Sequence, residues 1–349
     1  MTEFKETISH SGREKNIDLN TSVMGTVFTD HMFICEYENG QWNNPRIEPL
    51  DTIATHPAAM ALHYGQAIFE GMKAVRGKDG MPVLFRPELN AKRLNYSADR
   101  MGMPAFPEDL FVEGLKRLVA IDRNWVPTVE GTALYLRPFM YADEAFIGMR
   151  AANKYKFIIF ASPSGPFFSR PIKLWAETKF IRAAQGGTGD AKAAGNYAAA
   201  IRPTEIAKQK GYDQVLWLDA RDFEYVQEAG TMNIFFKIDG KIITPNLSGT
   251  ILPGITRLSV IELLRDKGFE VEERPITMTE LVEASKAGKL EEAWGAGTAV
   301  SIAPIEEIGY KNESLKFPDL TVSTDLKTSL DAIKMQAAED KFGWVVPVE

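Results

Sequence analysis

Residues 186–200 read GGTGDAKAAGNYAAA. A single lysine, Lys192, stands among glycines and alanines, where neither a helix interior nor an apolar core asks for a long cation. A Walker phosphate loop needs glycine just before its lysine and serine or threonine just after, and Ala191 and Ala193 occupy those places. A solvated lysine on a surface loop is the ordinary alternative. The small neighbours ask for more. They leave room for a bulky planar group against the backbone, and burial there favours the neutral amine that condenses with a carbonyl. Tyr197 brings a phenol to the same stretch if a helix begins at Asn196. The space around Lys192 is the space an aldehyde cofactor needs.

The rest of the chain is long enough to supply such a site. At 349 residues two domains are the default, and 45% hydrophobic with 10% aromatic residues gives each a core. A net charge of −7 and a pI near 5.4 repel phosphate backbones and anionic lipid, which argues against nucleic-acid and membrane partners. Cys35 is the only cysteine, so no intrachain disulfide and no thiolate metal cluster can form, in keeping with a reducing cytoplasm. The polar N-terminus carries no apolar signal core, and the best uncharged run, 294–305, has 12 residues. His10, His31, His56 and His63 show no i,i+4 pairing, and no metal is expected.

Strand-like and helix-like segments alternate along the first half. MPVLFRP (81–87) reads as a strand ended by proline; ELNAKRLNYSADRMGM and PEDLFVEGLKRLVAIDRNWV read as helices, the second opened by its proline. GTALYLRPFMY and KYKFIIFASP are strands by their β-branched and aromatic content. SPSGPFFSRP (162–171), with three prolines, is the best interdomain connection. Beyond it, IKLWAET and DQVLWLDA read as strands, Asp239-Gly240 as a hairpin turn, and 249–268 as a Gly/Pro turn leading into a helix capped by Gly268. The pattern is α+β with two unequal sheets.

Pyridoxal phosphate requires an anion seat, an acid partner for its pyridine nitrogen and a close fit around the ring. LPGIT (252–256) offers N–H groups at a helix start, WGAGTAVS (294–301) a second seat with the Thr298 hydroxyl, and Arg93 a bidentate charge. Each alone reads equally as capping or a solvated face. Glu228, in an apolar strand region, is either an exposed alternation position or a buried, paired carboxylate. A pyridinium partner explains it economically.

These segments together resemble the branched-chain amino-acid aminotransferases, fold-type-IV pyridoxal-phosphate enzymes. The resemblance covers nearly all of the chain: FTDHM (28–32), LHYGQAIFEGMKAVRG (62–77), LFRPELNAKRL (84–94), LYLRP (134–138), GTGDAKAAGNYAA, QEAGTMNIF, ILPGITR and GAGTA, in one order. It implies a two-domain fold of the D-amino-acid aminotransferase type: a small α/β domain over 1–165, a connection over 166–178 and a larger domain over 179–349 that carries the cofactor lysine. It further implies that Lys192 is the Schiff-base lysine, that Tyr197 bonds the cofactor's phenolic oxygen, and that Glu228 holds the pyridine nitrogen protonated. Arg93, Thr298 and the backbone of Ile255 and Thr256 would hold the phosphate. The substrate carboxylate would sit on the N–H groups of Thr298 and Ala299, helped by Tyr64. Met24, Phe69 and Tyr135 would line the aliphatic pocket. Tyr135 and Arg137 share a strand face, which makes Arg137 the candidate for the side-chain carboxylate of glutamate.

Two departures from the family pattern stand out. Met24 replaces a common phenylalanine, a flexible thioether that loosens the pocket. Val300 and Ala303 stand where animal members carry paired cysteines, so thiol regulation is not expected. The implied reaction is ping-pong transfer of the amino group of leucine, isoleucine or valine to 2-oxoglutarate in a cytoplasmic homodimer, with a loop near 143–150 of the partner closing each site. D-amino-acid aminotransferase and aminodeoxychorismate lyase are rivals of the same fold, shorter and without FEGMKA and LFRP. A non-catalytic carrier of the cofactor is the rival of another class, and the set Lys192, Tyr197 and Glu228 speaks against it.

Overall fold

The computed structural model describes residues 4–9, 11–166 and 170–349. In chain order, the first part holds β1 (Lys5–Glu6), β2 (His31–Glu38), β3 (Gln41–Pro49), α1 (Met60–Tyr64), β4 (Ala67–Phe69), β5 (Met72–Arg76) and β6 (Pro82–Phe85). There follow α2 (Pro87–Arg100), α3 (Glu108–Ile121), β7 (Ala133–Ala142) and β8 (Tyr155–Ser164). The second part holds β9 (Ile172–Ala176), α4 (Ala194–Gln209), β10 (Gln214–Leu218), β11 (Val226–Ala229), β12 (Asn233–Ile238), β13 (Lys241–Thr244), α5 (Ile255–Asp266) and β14 (Val271–Glu273). It ends with α6 (Met278–Lys286), β15 (Leu290–Gly297), β16 (Ser301–Tyr310), β17 (Glu313–Lys316) and α7 (Thr321–Lys334); β18 (Val345–Pro347) closes the chain.

Two compact units result, the first formed by Met1–Phe167, Ala191–Gly195 and Ala332–Glu349, the second by Phe168–Asp190 and Asn196–Asp331. The boundaries differ from the expected ones in three respects. Residues 172–176 of the connection expected over 166–178 are β9, a strand inside the second sheet; of SPSGPFFSRP (162–171), residues 162–164 end β8 and 167–169 lie outside the described residues. The lysine segment Ala191–Gly195 groups with the first unit, and so does the C-terminal stretch, because β18 pairs with β6. The first unit is therefore not the small one. Nor are the sheets unequal: among the described residues each has nine strands.

The first sheet runs β1-β3-β2-β8-β7-β5-β6-β18, with β4 on the side of β7. It is antiparallel except for the short β1–β3 pair. Its core lies where α3 buries Phe111, Leu115, Leu118 and Val119, an i,i+4,i+7,i+8 stripe, near Phe33, Phe106 and Phe157. Phe106 and Phe157 stack with ring centroids 3.9 Å apart. In β7 the alternation is strict: Leu134, Leu136 and Met140 are buried, and Tyr135, Arg137, Phe139 and Tyr141 share the opposite, half-buried face.

The second sheet, β11-β10-β9-β16-β15-β12-β13-β14 with β17 beside β16, mixes parallel pairs at β9 and β13–β14 with antiparallel hairpins. β12 and β13 join through Asp239 (φ 51°) and Gly240 (φ 81°), the two left-handed residues of the turn that Asp-Gly announces. α5 ends as expected, with Gly268 at φ 86° just beyond its cap. α4 begins at Ala194, two residues before the anticipated Asn196, and Pro107 precedes α3 as its N-cap. No helix among the described residues is long and apolar enough to cross a membrane, and no group of three or more metal-ligating side chains occurs among them. Cys35 is buried, its thiol pushed up to about 12 by burial.

Candidate active site

In the first unit the main chain of Lys192 is gripped from two sides. Its N–H donates to the buried Ser97 hydroxyl of α2 at 2.9 Å, and its carbonyl accepts from Phe69 N–H of β4 at 3.1 Å. Ala193 forms an isolated bridge with Ile68. Ala191 and Ala193 are each 2% exposed, so their small size is a packing requirement as well as an opening. The ammonium lies 4.8 Å from the centre of the Phe69 ring.

Beside Phe69 stands Glu70, a residue that its place in FEG does not advertise. Its carboxylate has no accessible surface and gathers Arg93 Nε and Nη2 at 2.8 Å each, Asn90 Nδ2 at 2.7 Å and Gly71 N–H at 3.2 Å. Burial pushes this carboxyl up, but the charge and hydrogen bonds of Arg93, the charge of Lys192 and the Asn90 amide outweigh it and hold the group below its ordinary value. Arg93 was expected to grip a phosphate bidentately. Its Nε–Nη2 edge instead holds Glu70, which fixes the guanidinium plane that an anion would meet.

Arg137 lies between aromatic rings, its Cζ 4.7 Å from the Phe69 centroid and 5.3 Å from that of Tyr135. Nη2 donates to the Tyr135 hydroxyl at 3.1 Å, whereas Nε is buried and finds no hydrogen-bond partner among the described residues. A half-buried guanidinium with one buried donor left without a partner is suited to receive an anionic ligand. Gly71 lets the Tyr135 hydroxyl approach: a Cβ there would lie 2.2 Å from it. Tyr64 ends α1, just before Gly65 at φ 65°, and Met24 lies on a turn pinned by Gly25 N–H to Ser162 Oγ at 2.8 Å.

In the second unit Glu228 is buried on β11, which settles the two readings in favour of a paired carboxylate. One oxygen meets Arg182 Nε at 2.7 Å and the other accepts Leu252 N–H at 2.7 Å. Arg182 in turn spans to the carbonyls of Gly189, at 2.8 Å, and Thr250. No signal in the sequence pointed to it. Arg182 thus fixes the orientation of a carboxylate placed to hold a protonated ring nitrogen.

The start of α5 has no capping side chain, since Gly254 is its N-cap. Asn233 buttresses this turn through Nδ2 to Leu252 O at 2.9 Å, and a Cβ on Gly254 would lie 2.0 Å from Asn233 Oδ1. The N–H groups of Ile255 and Thr256 therefore open the helix as a preformed anion seat. Tyr197 lies half-buried in the first turn of α4, next to Asn196, which exchanges two 2.7 Å hydrogen bonds with Thr188. Thr298 and Ala299 are half-buried in the turn between β15 and β16. The second seat expected at 294–301 is thus a hairpin turn.

The donor set of each unit fits pyridoxal phosphate: an anchored lysine and an oriented arginine in one, a buried carboxylate paired with arginine and an uncapped helix start in the other. Comparison with known proteins agrees. Residues 67–308 match the family model described as amino-transferase class IV. Branched-chain-amino-acid aminotransferase 2 of Bacillus subtilis (strain 168) is 46% identical over 97% of this chain and 95% of its own. The chain belongs to the branched-chain amino-acid aminotransferase family. Branched-chain-amino-acid transaminase 1 of the same organism is 42% identical, over 96% of this chain and 98% of its own. Among solved structures, the branched-chain amino acid aminotransferase of Thermobaculum terrenum in its PLP form superposes with a TM-score of 0.72 at 23% identity, covering 92% of this chain and 99% of that one. The fold is the fold-type-IV aminotransferase fold, α+β as its sequence pattern suggests.

Proposed function

We propose that this chain transfers the amino group of L-leucine, L-isoleucine or L-valine to 2-oxoglutarate, giving branched-chain 2-oxo acids and L-glutamate in two half-reactions. The observation that carries this reading is Lys192, whose main chain is fixed by Ser97 and Phe69 while its amine remains beside an aromatic face. Pyridoxal phosphate, when bound, supplies the carbonyl that takes the amino group and an electron sink for the carbanion.

The chain's own residues do the rest. Lys192 Nζ is the base that removes the proton from the substrate Cα, and its anchored backbone restricts where that amine can reach. Glu228, held by Arg182, would keep a proton on the cofactor's ring nitrogen. Tyr197 bonds the phenolic oxygen. Arg93, Thr298 and the Ile255 and Thr256 amides hold the phosphate, with Glu70 fixing the Arg93 plane. The Thr298 and Ala299 amides, with Tyr64, take the substrate's α-carboxylate. Met24, Phe69 and Tyr135 surround the aliphatic side chain.

One pocket then has to accept both an isobutyl group and a propionate. Arg137 makes this feasible: its rings present an apolar wall, and its unpartnered Nε is available to a second carboxylate that would otherwise be buried without a partner. The test is a steady-state assay of the wild type and Arg137→Gln with leucine and with glutamate as donor. The expected loss in kcat/KM is roughly 10- to 100-fold for glutamate, the value of one charge-assisted contact, and less than about threefold for leucine. Equal losses for both donors would remove Arg137 from this role.

A homodimer is part of the same reading. Ile147 and Met149 are 61% and 87% exposed on a segment braced by the Glu144–Arg150 pair at 2.6 Å and by Arg150 over the Phe146 ring. Such an apolar, rigidly based loop is suited to cover a second copy's site. A cytoplasmic location accords with the single buried cysteine.

A further inference from the structure

The turn 298–300 closes β15 and β16 as a three-residue hairpin loop, with Gly297 paired to Ser301. The residue that follows this loop takes a left-handed backbone, where glycine is the usual choice. Here the residue is Ser301, at φ 59° and 5% exposed. A side chain in that backbone region needs a reason.

The reason lies on α7. Ser301 Oγ donates to Asp331 Oδ1 at 2.8 Å, and Asp331 Oδ2 is held by Lys327 at 2.6 Å, one helical turn earlier. The same hairpin grips the other end of the helix. Glu292 of β15, with no accessible surface, accepts Val322 N–H at 3.0 Å, Ser323 N–H at 2.7 Å and the Ser323 hydroxyl at 2.5 Å. α7 is therefore a strut fastened to one hairpin at both ends, its near end against the residue that sets the turn.

We propose that Ser301 and Asp331 form a positioning pair that holds the 298–300 turn in the shape its amides need to bind the substrate carboxylate. Neither side chain touches substrate. The pair acts through the turn, and the inference rests on the reading of that turn as the carboxylate seat. Ser301 trades the freedom of glycine for a fixed backbone, so that the turn amides are aimed before substrate arrives.

The test uses the holoenzyme and 4-methylvalerate, a branched carboxylate with no amine to react, titrated by calorimetry into the wild type, Ser301→Ala, Asp331→Ala and Asp331→Asn. Ser301→Ala and Asp331→Ala are expected to weaken binding roughly three- to tenfold, the factor one hydrogen bond supplies, and to raise KM for L-leucine equally while kcat stays within about twofold. Asp331→Asn keeps an acceptor oxygen and is expected to stay within about twofold of wild type. Amide exchange over 298–301 is expected to quicken in the two alanine variants alone. Alanine variants that bind 4-methylvalerate as the wild type does, whatever their melting temperature, would overturn the proposal. A wild type that transaminates leucine but does not bind 4-methylvalerate would overturn the carboxylate reading and the pair's role with it.

Discussion

A carboxylate with no contact with water stays ionised only when donors surround it, and Glu70 meets that condition with Arg93, Asn90 and the Gly71 amide. Its charge also balances a site that collects Arg93 and Lys192. Breaking such a pair from one side is costly, about 3–5 kcal/mol, because the other charge stays buried. Glu70→Gln is expected to destabilise the fold by a comparable or smaller amount at pH 7. Its pH dependence has a definite sign. The carboxyl is held below its ordinary 4.5, so its stabilisation is complete above that value and is lost as pH falls through the lower folded value. Urea unfolding at pH 7, 5 and 3 should therefore show an unchanged gap between wild type and Glu70→Gln from 7 to 5 and a smaller one at 3. A gap that is constant over all three would show that the charge of Glu70 contributes nothing.

At the scale of elements, the local signals and the long-range ones part company. The Asp239-Gly240 turn, the Gly268 cap and the α3 stripe were legible because each is decided within a few residues by φ preference or helical period. Glu292 was not legible. It sits in a strand with its carboxylate turned inward, and only the fold brings the start of α7 to it. There it acts as a capping side chain supplied from another element, complementing the helix dipole. Glu292→Ala is expected to cost about 1–3 kcal/mol, read as a lower melting temperature, since it leaves buried N–H groups without an acceptor. A melting temperature equal to that of wild type would mean that water replaces the cap.

For the whole molecule, the lysine stretch pointed to the chemistry, and the family segments singled out Arg93, Arg137, Glu228 and the 252–256 turn. The pairs that tune these groups were hidden. Arg93 finds Glu70 at a separation of 23 residues, and Arg182 reaches Glu228 from a distant loop of the chain. Neither partner has a local pattern of its own. The unit boundaries were hidden for a similar reason: Ala191–Gly195 meets the first unit at the Ile68–Ala193 bridge and at the Ser97 and Phe69 hydrogen bonds to Lys192, and β18 joins it by pairing with β6. Strand pairing of that kind is invisible until the chain is folded.

The central claim is that Lys192 and Glu228 serve a pyridoxal phosphate that exchanges amino groups with branched-chain L-amino acids. Its most direct test is the absorption spectrum of the purified protein with pyridoxal phosphate, titrated with L-leucine, then 2-oxoglutarate, and in parallel with D-alanine. The visible band of the bound cofactor is expected to bleach with L-leucine, to return with 2-oxoglutarate and to ignore D-alanine. A response to D-alanine alone would contradict the substrate assignment, and no visible band at all would contradict the role given to Lys192.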